Sequence, residues 1–180
     1  EDYAQVLGDF TANMSADNET MKALQEGFRR PGAVRRARRV RGFSSETKCS
    51  CVSFGQGEHW VLGAPELLCP DDEALRSRVA EHAARGERVL LLAACEEEEA
   101  LFAPGVPAGA VPRALVTLSN PIRAHARETF EYFTSQGVQI RVISGDNPLT
   151  ASAAAQEAGI PGAERWVDAG TLETDEQIAA

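Results

Sequence analysis

With 180 residues, a formal net charge of −9, 43% hydrophobic and 25% charged residues, the chain can hold one sizeable core or two small ones and has the balance of a soluble globular protein. The acidic excess excludes a nucleic-acid partner unless the basic residues are strongly segregated. The longest apolar run, Val89 to Cys95, is far too short to span a bilayer, and no signal-peptide pattern opens the chain. Cys49, Cys51, Cys69 and Cys95 form no Cys-x-x-Cys pair and His59, His82 and His125 are scattered, so no metal site is expected and a reducing compartment fits the cysteine usage.

In chain order, Asp17-Asn18-Glu19-Thr20 supplies cap residues for a helix over Met21 to Phe28, in which Met21, Leu24 and Phe28 share one face, and Pro31-Gly32 ends it. Arg29, Arg30, Arg35, Arg36, Arg38, Arg39 and Arg41 then crowd into one stretch leading to Phe43. Two readings of that stretch stand side by side: a positive rim that draws in a triphosphate, or a solvated strand face. Without interleaved aromatics it is no nucleic-acid surface.

Strand patterns follow at Ala33 to Val40, Cys49 to Phe54 and His59 to Leu62, with Gly55-Gln56-Gly57 as a hairpin turn, which is antiparallel-sheet material. Cys49 and Cys51 alternate, so both point to one face of the sheet as small hydrophobes. The Gly-x-Gly lacks the third glycine and the helix of a dinucleotide site. Asp71 to Arg85 reads as a helix with Leu75 and Val79 on its apolar side and Gly86 as its stop, Arg88 to Ala94 as a buried strand, and Glu96 to Glu99 as a solvated turn or helix start.

Ala103 to Pro112, rich in Pro, Gly and Ala, reads as a surface loop at a domain boundary. Beyond it come a strand over Ala114 to Leu118, a helix over Pro121 to Gln136, a strand over Val138 to Ser144, a helix over Pro148 to Ala158 and a strand over Arg165 to Val167. Such βαβαβ alternation implies parallel pairing with right-handed crossovers. The expected fold class is α+β: an antiparallel-sheet domain with helices over residues 1–112, then a partial α/β domain over residues 113–180.

Val142-Ile143-Ser144-Gly145-Asp146-Asn147 is the most informative stretch: an apolar strand entering a small polar turn just before a helix. Gly145 lets the backbone turn, the first N–H groups of the helix and its dipole attract anions, Ser144 adds a hydroxyl donor and Asp146 a carboxylate. That is the shape of a phosphate-handling turn.

The segment SGDNPLTASAAAQEAGI resembles the TGDNxxTAxxIAxxxGI segment of the phosphorylation domain of P-type cation-transporting ATPases, with Ser144 in place of the usual Thr. Three more motifs occur in the family's order. Phe43-Ser44-Ser45-Glu46-Thr47-Lys48 resembles the FSSxxK adenine-site motif, Leu62-Gly63-Ala64-Pro65-Glu66 resembles KGAPE, and Ser119-Asn120-Pro121-Ile122-Arg123 resembles the DPxR hinge motif. The likeness covers nearly the whole chain and is closest to a bacterial branch of these pumps.

The resemblance implies a nucleotide-binding domain followed by part of a haloacid-dehalogenase-like phosphorylation domain. Phe43 would stack on adenine, Lys48 would serve the adenine pocket or the phosphates, and Glu46 would orient that lysine or accept from the adenine amine. Ser44 belongs to the same motif, Gly63 and Ala64 would admit the ligand close to the backbone, and Arg88 would add charge. Ser144, Gly145 and Asp146 would form the catalytic turn, with Asn120 and Arg123 by the hinge near the phosphates. Three positions depart from the family pattern: Leu62 stands for the usual Lys, Met21 for an acidic adenine contact, and Asn120 for Asp.

The family's DKTGT sequence, whose Asp takes the phosphoryl group, and its GDGxNDxP magnesium motif occur nowhere in the chain. The resemblance therefore implies an excised cytoplasmic fragment of an enzyme, a P-type ATPase of the plasma or inner membrane. Such a fragment would bind ATP, with Mg²⁺ in the parent protein, and would not turn over alone. Its partners would be the remaining phosphorylation, actuator and transmembrane domains, and it would not itself insert into the membrane. The alternative is a degenerate nucleotide-binding domain serving as a regulatory or interaction module. A free-standing phosphatase is the third reading, and neither Asp2 nor Asp9 sits in the context its nucleophile needs.

Overall fold

The computed structural model describes residues 2–119, 121–168 and 171. Two compact units result, Glu1–Val79 with Val89–Leu118, and Ala80–Arg88 with Ser119–Ala180.

No element is predicted before Asp17, yet the first unit opens with helix α1, Tyr3–Ala12. Asp2 caps it by accepting from the Ala4 and Gln5 N–H groups, and Val6, Leu7 and Phe10 bury its apolar face. Helix α2, Glu19–Gly27, is capped by Asn18, which accepts from Met21 N at 2.8 Å, and it buries Met21 and Leu24 as its spacing predicts.

A five-stranded sheet follows, in the order β1 (Arg39–Arg41), β2 (Cys49–Gly55), β3 (Glu58–Gly63), β4 (Arg88–Cys95) and β5 (Val111–Leu118). The β1–β2, β2–β3 and β3–β4 pairs are antiparallel. Gly55, Gln56 and Gly57 all have positive φ, the conformation the expected hairpin turn demands. Register sorts the side chains. Val52, Trp60 and Leu62 pack with Leu92 and Val116 against α1 and α2, whereas Cys49, Cys51 and Val61 pack with Leu91, Ala93 and Cys95 on the other face. That second face is covered by Leu68 of the short helix α3 (Pro65–Leu68), Leu75 of α4 (Glu73–Ala83) and Leu101 of α5 (Glu98–Phe102).

The strand predicted over Ala33 to Val40 shrinks to Arg39–Arg41. The backbone before it finds other partners. Asp9 Oδ1 accepts from Arg35 N at 3.1 Å, Asn13 Oδ1 accepts from Ala37 N at 2.9 Å, and Asn13 Nδ2 donates to Arg35 O at 2.8 Å. Side chains from the end of α1 thus satisfy groups that a ladder would otherwise take.

The second unit holds the C-terminal part of α4, helix α6 (Ala126–Ser135) and helix α7 (Pro148–Glu157). Ala155, Ala158 and Ile160 form its small core with Ile122, Phe130 and Ile140. Helix α6 starts later than predicted because His125, with φ 68, holds the left-handed conformation at its N-cap. The predicted strands over Val138 to Ser144 and Arg165 to Val167 are not strands among the described residues. An extended segment becomes a strand only when a neighbour takes its N–H and C=O groups, and Ile143 is 99% exposed. Ala114 to Leu118, expected to open the parallel alternation, lies within β5, hydrogen-bonded beside β4 in the first unit's sheet.

Candidate functional site

The loop between β1 and β2 carries Phe43, Ser44, Glu46 and Lys48. Ser44 organises it. Its Oγ accepts from Glu46 N at 3.2 Å and Thr47 N at 3.3 Å, and its carbonyl accepts from Lys48 N at 2.8 Å. Lys48 closes the turn at φ 47 and then feeds the chain into β2. Its carbonyl in turn accepts from Ala64 N at 3.1 Å. The two sequence motifs, far apart in the chain, are therefore joined by a backbone hydrogen bond.

Gly63 makes that junction possible. It pairs with Cys49 across the strands, and a Cβ there would lie 2.7 Å from the Lys48 carbonyl oxygen. Glu46 and Lys48 are both exposed, with their side chains free to reach outward.

Phe43 projects into a cavity of about 110 Å³ lined with Asn13, Asp17, Asn18, Met21 and Val40. Phe43 is 54% exposed although it is one of the largest apolar residues in the unit. Met21, 6% exposed, forms an apolar wall. Asp17 brings a carboxylate to the same cavity lining. Asp17 and Asn18 read in the sequence as cap residues, because capping uses the same polar types; the structure has Asn18 capping α2 and both residues lining the cavity.

In the second unit, Arg88 Nη2 donates to both carboxylate oxygens of Asp146, at 2.6 and 2.7 Å. Ser144 Oγ accepts from Asp146 N at 3.1 Å, and Asn147 caps α7 by accepting from Leu149 N at 3.0 Å. Gly145 faces open space. Arg88, Ser144, Gly145 and Asp146 thus form one polar cluster at the entrance of α7, with Pro148 at its first turn. Arg123 is exposed, and its carbonyl accepts from Ala126 N at 3.0 Å. Asn120 lies outside the described residues. Thr150 Oγ1 donates to the Glu87 carbonyl at 3.2 Å, which ties α7 to the turn just before Arg88; no sequence motif pointed to that bond.

Comparison with known proteins places these features in a family. No family model matches the chain. It is 40% identical over 182 residues to the calcium-transporting ATPase CtpE of Mycobacterium tuberculosis, covering 100% of this chain and 22% of that protein. It is 35% identical over 180 residues to a probable cation-transporting ATPase of Streptococcus pneumoniae, again covering 100% of this chain and 22% of the relative. The chain thus spans about a fifth of the length of the curated relatives it matches. A solved zinc-transporting PIB-type ATPase in the E2.Pi state shares the fold with a TM-score of 0.50 at 19% identity, over 87% of this chain and 23% of that one. The ordered motifs and the identity along the whole chain place this protein in the family of P-type cation-transporting ATPases.

Proposed function

We propose that the chain is the ATP-binding cytoplasmic portion of a P-type cation pump, read as a nucleotide-binding part followed by a partial haloacid-dehalogenase-like phosphorylation part. The observation that carries it is the Phe43 cavity, whose loop is hydrogen-bonded through Lys48 to Ala64. The donor set fits an adenine nucleotide. The half-exposed residue Phe43 offers an aromatic stacking face, the Asp17 carboxylate can accept from an exocyclic amine, and Lys48 extends from the same loop as a cation.

In this reading Phe43 and Met21 hold the base between apolar surfaces while Gly63 keeps the backbone of the two motifs close. Ser144 donates to a phosphoryl oxygen, Asp146 and Arg88 exchange their mutual ion pair for contacts with the incoming nucleotide, and Arg123 and Asn120 serve the hinge. Bound ATP would supply the transferable γ-phosphoryl group, with Mg²⁺ neutralising its charge in the parent protein. Among the described residues no group of three or more His, Cys, Asp or Glu side chains could hold a metal ion. Among the described residues no helix is long and apolar enough to cross a membrane. The partners of this portion are the remaining phosphorylation, actuator and transmembrane domains of the same pump at the plasma or inner membrane, and turnover requires them.

The test is an ATP titration of the purified chain followed by amide NMR shifts, in wild type and Phe43→Ala. Saturable shifts at Phe43, Lys48 and Gly63 that vanish in the variant are expected. A second reading, an interaction module that has lost its nucleotide, draws on Leu62, which is 4% exposed in the core where the family pattern has Lys. No shifts in either protein at millimolar ATP would establish it instead.

A further inference from the structure

The nucleotide cavity does not account for the arginine stretch before Phe43. Residues Gly27 to Ser45 contain seven Arg and no Asp or Glu, in a chain whose net charge is −9. None of the seven lines the Phe43 cavity. The fold neutralises part of the stretch: Arg35 pairs with Asp9 and Glu58, Arg39 lies 3.4 Å from Glu99, and Arg41 donates to the Ala103 carbonyl. Arg30 keeps only a loose 3.8 Å contact with Asp2, and Arg29 has no ion pair among the described residues.

Arg29 and Arg30 lie on a groove of about 690 Å³ in the first unit, bounded by α1, α2 and the chain from Arg29 to Val34. It shares no lining residue with the Phe43 cavity. Lys22 brings a third cation to it, held to Glu19 by a pair that is exposed at both ends and therefore weak. Two carboxylates also line the groove. Asp9 is already taken, since its Oδ1 accepts from Arg35 N at 3.1 Å and its Oδ2 lies 3.5 Å from Arg35 Nε. That leaves Glu26 against three cations. The floor needs no partner: Thr11 donates to the Leu7 carbonyl at 2.8 Å, and the Gln25 amide donates to the Thr11 and Met14 carbonyls at 3.0 and 2.9 Å.

The wall of the groove points to the kind of occupant. From Arg29 to Val34 no backbone N–H or C=O group makes a hydrogen bond among the described residues, so this wall offers free donors and acceptors to a second main chain. Val34, 50% exposed, adds an apolar contact there. No aromatic side chain lines the groove, as stacking of a single-stranded nucleic acid needs. A bilayer meets a protruding basic face, whereas these cations edge a recess. We propose that the groove docks an extended acidic protein segment, whose carboxylates pair with Arg29, Arg30 and Lys22 while its backbone bonds to the chain between Arg29 and Val34.

The test is fluorescence anisotropy of a labelled Glu-Glu-Leu-Glu-Glu peptide titrated with the full 180-residue chain, at low ionic strength because salt screens exposed pairs. Saturable one-to-one binding is expected, and none with Lys-Lys-Leu-Lys-Lys. Arg29→Glu combined with Arg30→Glu should weaken binding by about tenfold or more. Arg78→Glu combined with Arg113→Glu alters net charge equally at exposed positions outside the groove and should leave affinity within about twofold. In wild type, amide NMR shifts caused by the peptide should appear at Gly32, Ala33 and Val34 and spare Phe43 and Lys48, a readout that needs no variant. Equal weakening in the two double variants would reduce the effect to overall charge and overturn the groove. Absence of saturable binding, shifts centred on Phe43, or binding to phosphatidylserine vesicles in place of the peptide would overturn it as well.

Discussion

The backbone of Gly63 passes so close to Cys49 that a side chain at position 63 would place its Cβ 2.5 Å from the Cys49 Cβ. The atoms in the way are the Cys49 Cα and Cβ and the Lys48 carbonyl oxygen, none of which can swing aside. Gly63→Ala must therefore part β2 from β3. The expected cost is about 1–3 kcal/mol, read as a lower urea midpoint, with ATP affinity falling as the Lys48–Ala64 bond is lost. Gly27→Ala is the contrast. It meets nothing within 4 Å at the end of α2, and it should be neutral or stabilise by up to about 1 kcal/mol.

Phe43 and Phe10 should separate binding from folding. Phe43 is 54% exposed, so Phe43→Ala should shift stability by less than about 0.5 kcal/mol while weakening ATP binding by the roughly 1–3 kcal/mol of a lost stacking face. Phe10 is fully buried in the core with Trp60 and Leu92. Phe10→Ala should cost about 3–5 kcal/mol. Thermal melts and calorimetric titration of the two variants check both statements.

The Arg88–Asp146 pair is about two-fifths exposed at both ends. Solvent screens it, and Asp146→Asn should lower stability by less than about 1 kcal/mol. In phosphate-release assays the pure chain should show no ATPase activity in either form. A rate in wild type that Asp146→Ala abolishes would show that the chain carries its own nucleophile.

Stability should depend on pH through Cys49. Its thiol is lowered in the folded chain from 9.0 to about 6, so the fold binds that proton more weakly than the unfolded chain does. The resulting stabilisation is full above 9.0 and is lost as the pH falls through about 6. Cys51 moves the other way, and its contribution is lost as the pH rises beyond its ordinary value of 9.0. The stability difference between wild type and Cys49→Ser should accordingly grow from about pH 6 to about pH 9, with a slope of at most about 1.4 kcal/mol per pH unit. Urea unfolding at several pH values in that window checks it; a flat difference would show that the Cys49 thiol keeps its ordinary value on folding.

Local pattern made much of the first unit legible. Asn18 before Met21, the Gly55-Gln56-Gly57 turn and the alternation of Cys49 with Cys51 each depend on groups a few residues apart, and each stands in the structure as expected. Helix α1 was not predicted, although the Asp2 cap and the Val6, Leu7, Phe10 spacing are local signals for it. The motif order from Phe43 to Asp146 pointed to the family that whole-chain identity supports.

Short-range commitments, namely caps, turns, face alternation and the residue types of the motifs, follow from neighbours in the chain. Tertiary structure alone decided where long-range partners exist. Ala33 to Arg38 read as strand until Asp9 and Asn13 took its backbone groups, and Val138 to Ser144 read as strand but has no neighbour to pair it among the described residues. The junction of Lys48 with Ala64, the place of Asp17 beside Phe43 and the approach of Arg41 to two sulfurs were invisible for the same reason. A hydrogen bond or an ion pair has a range of a few ångströms, and only the folded chain brings such groups within it.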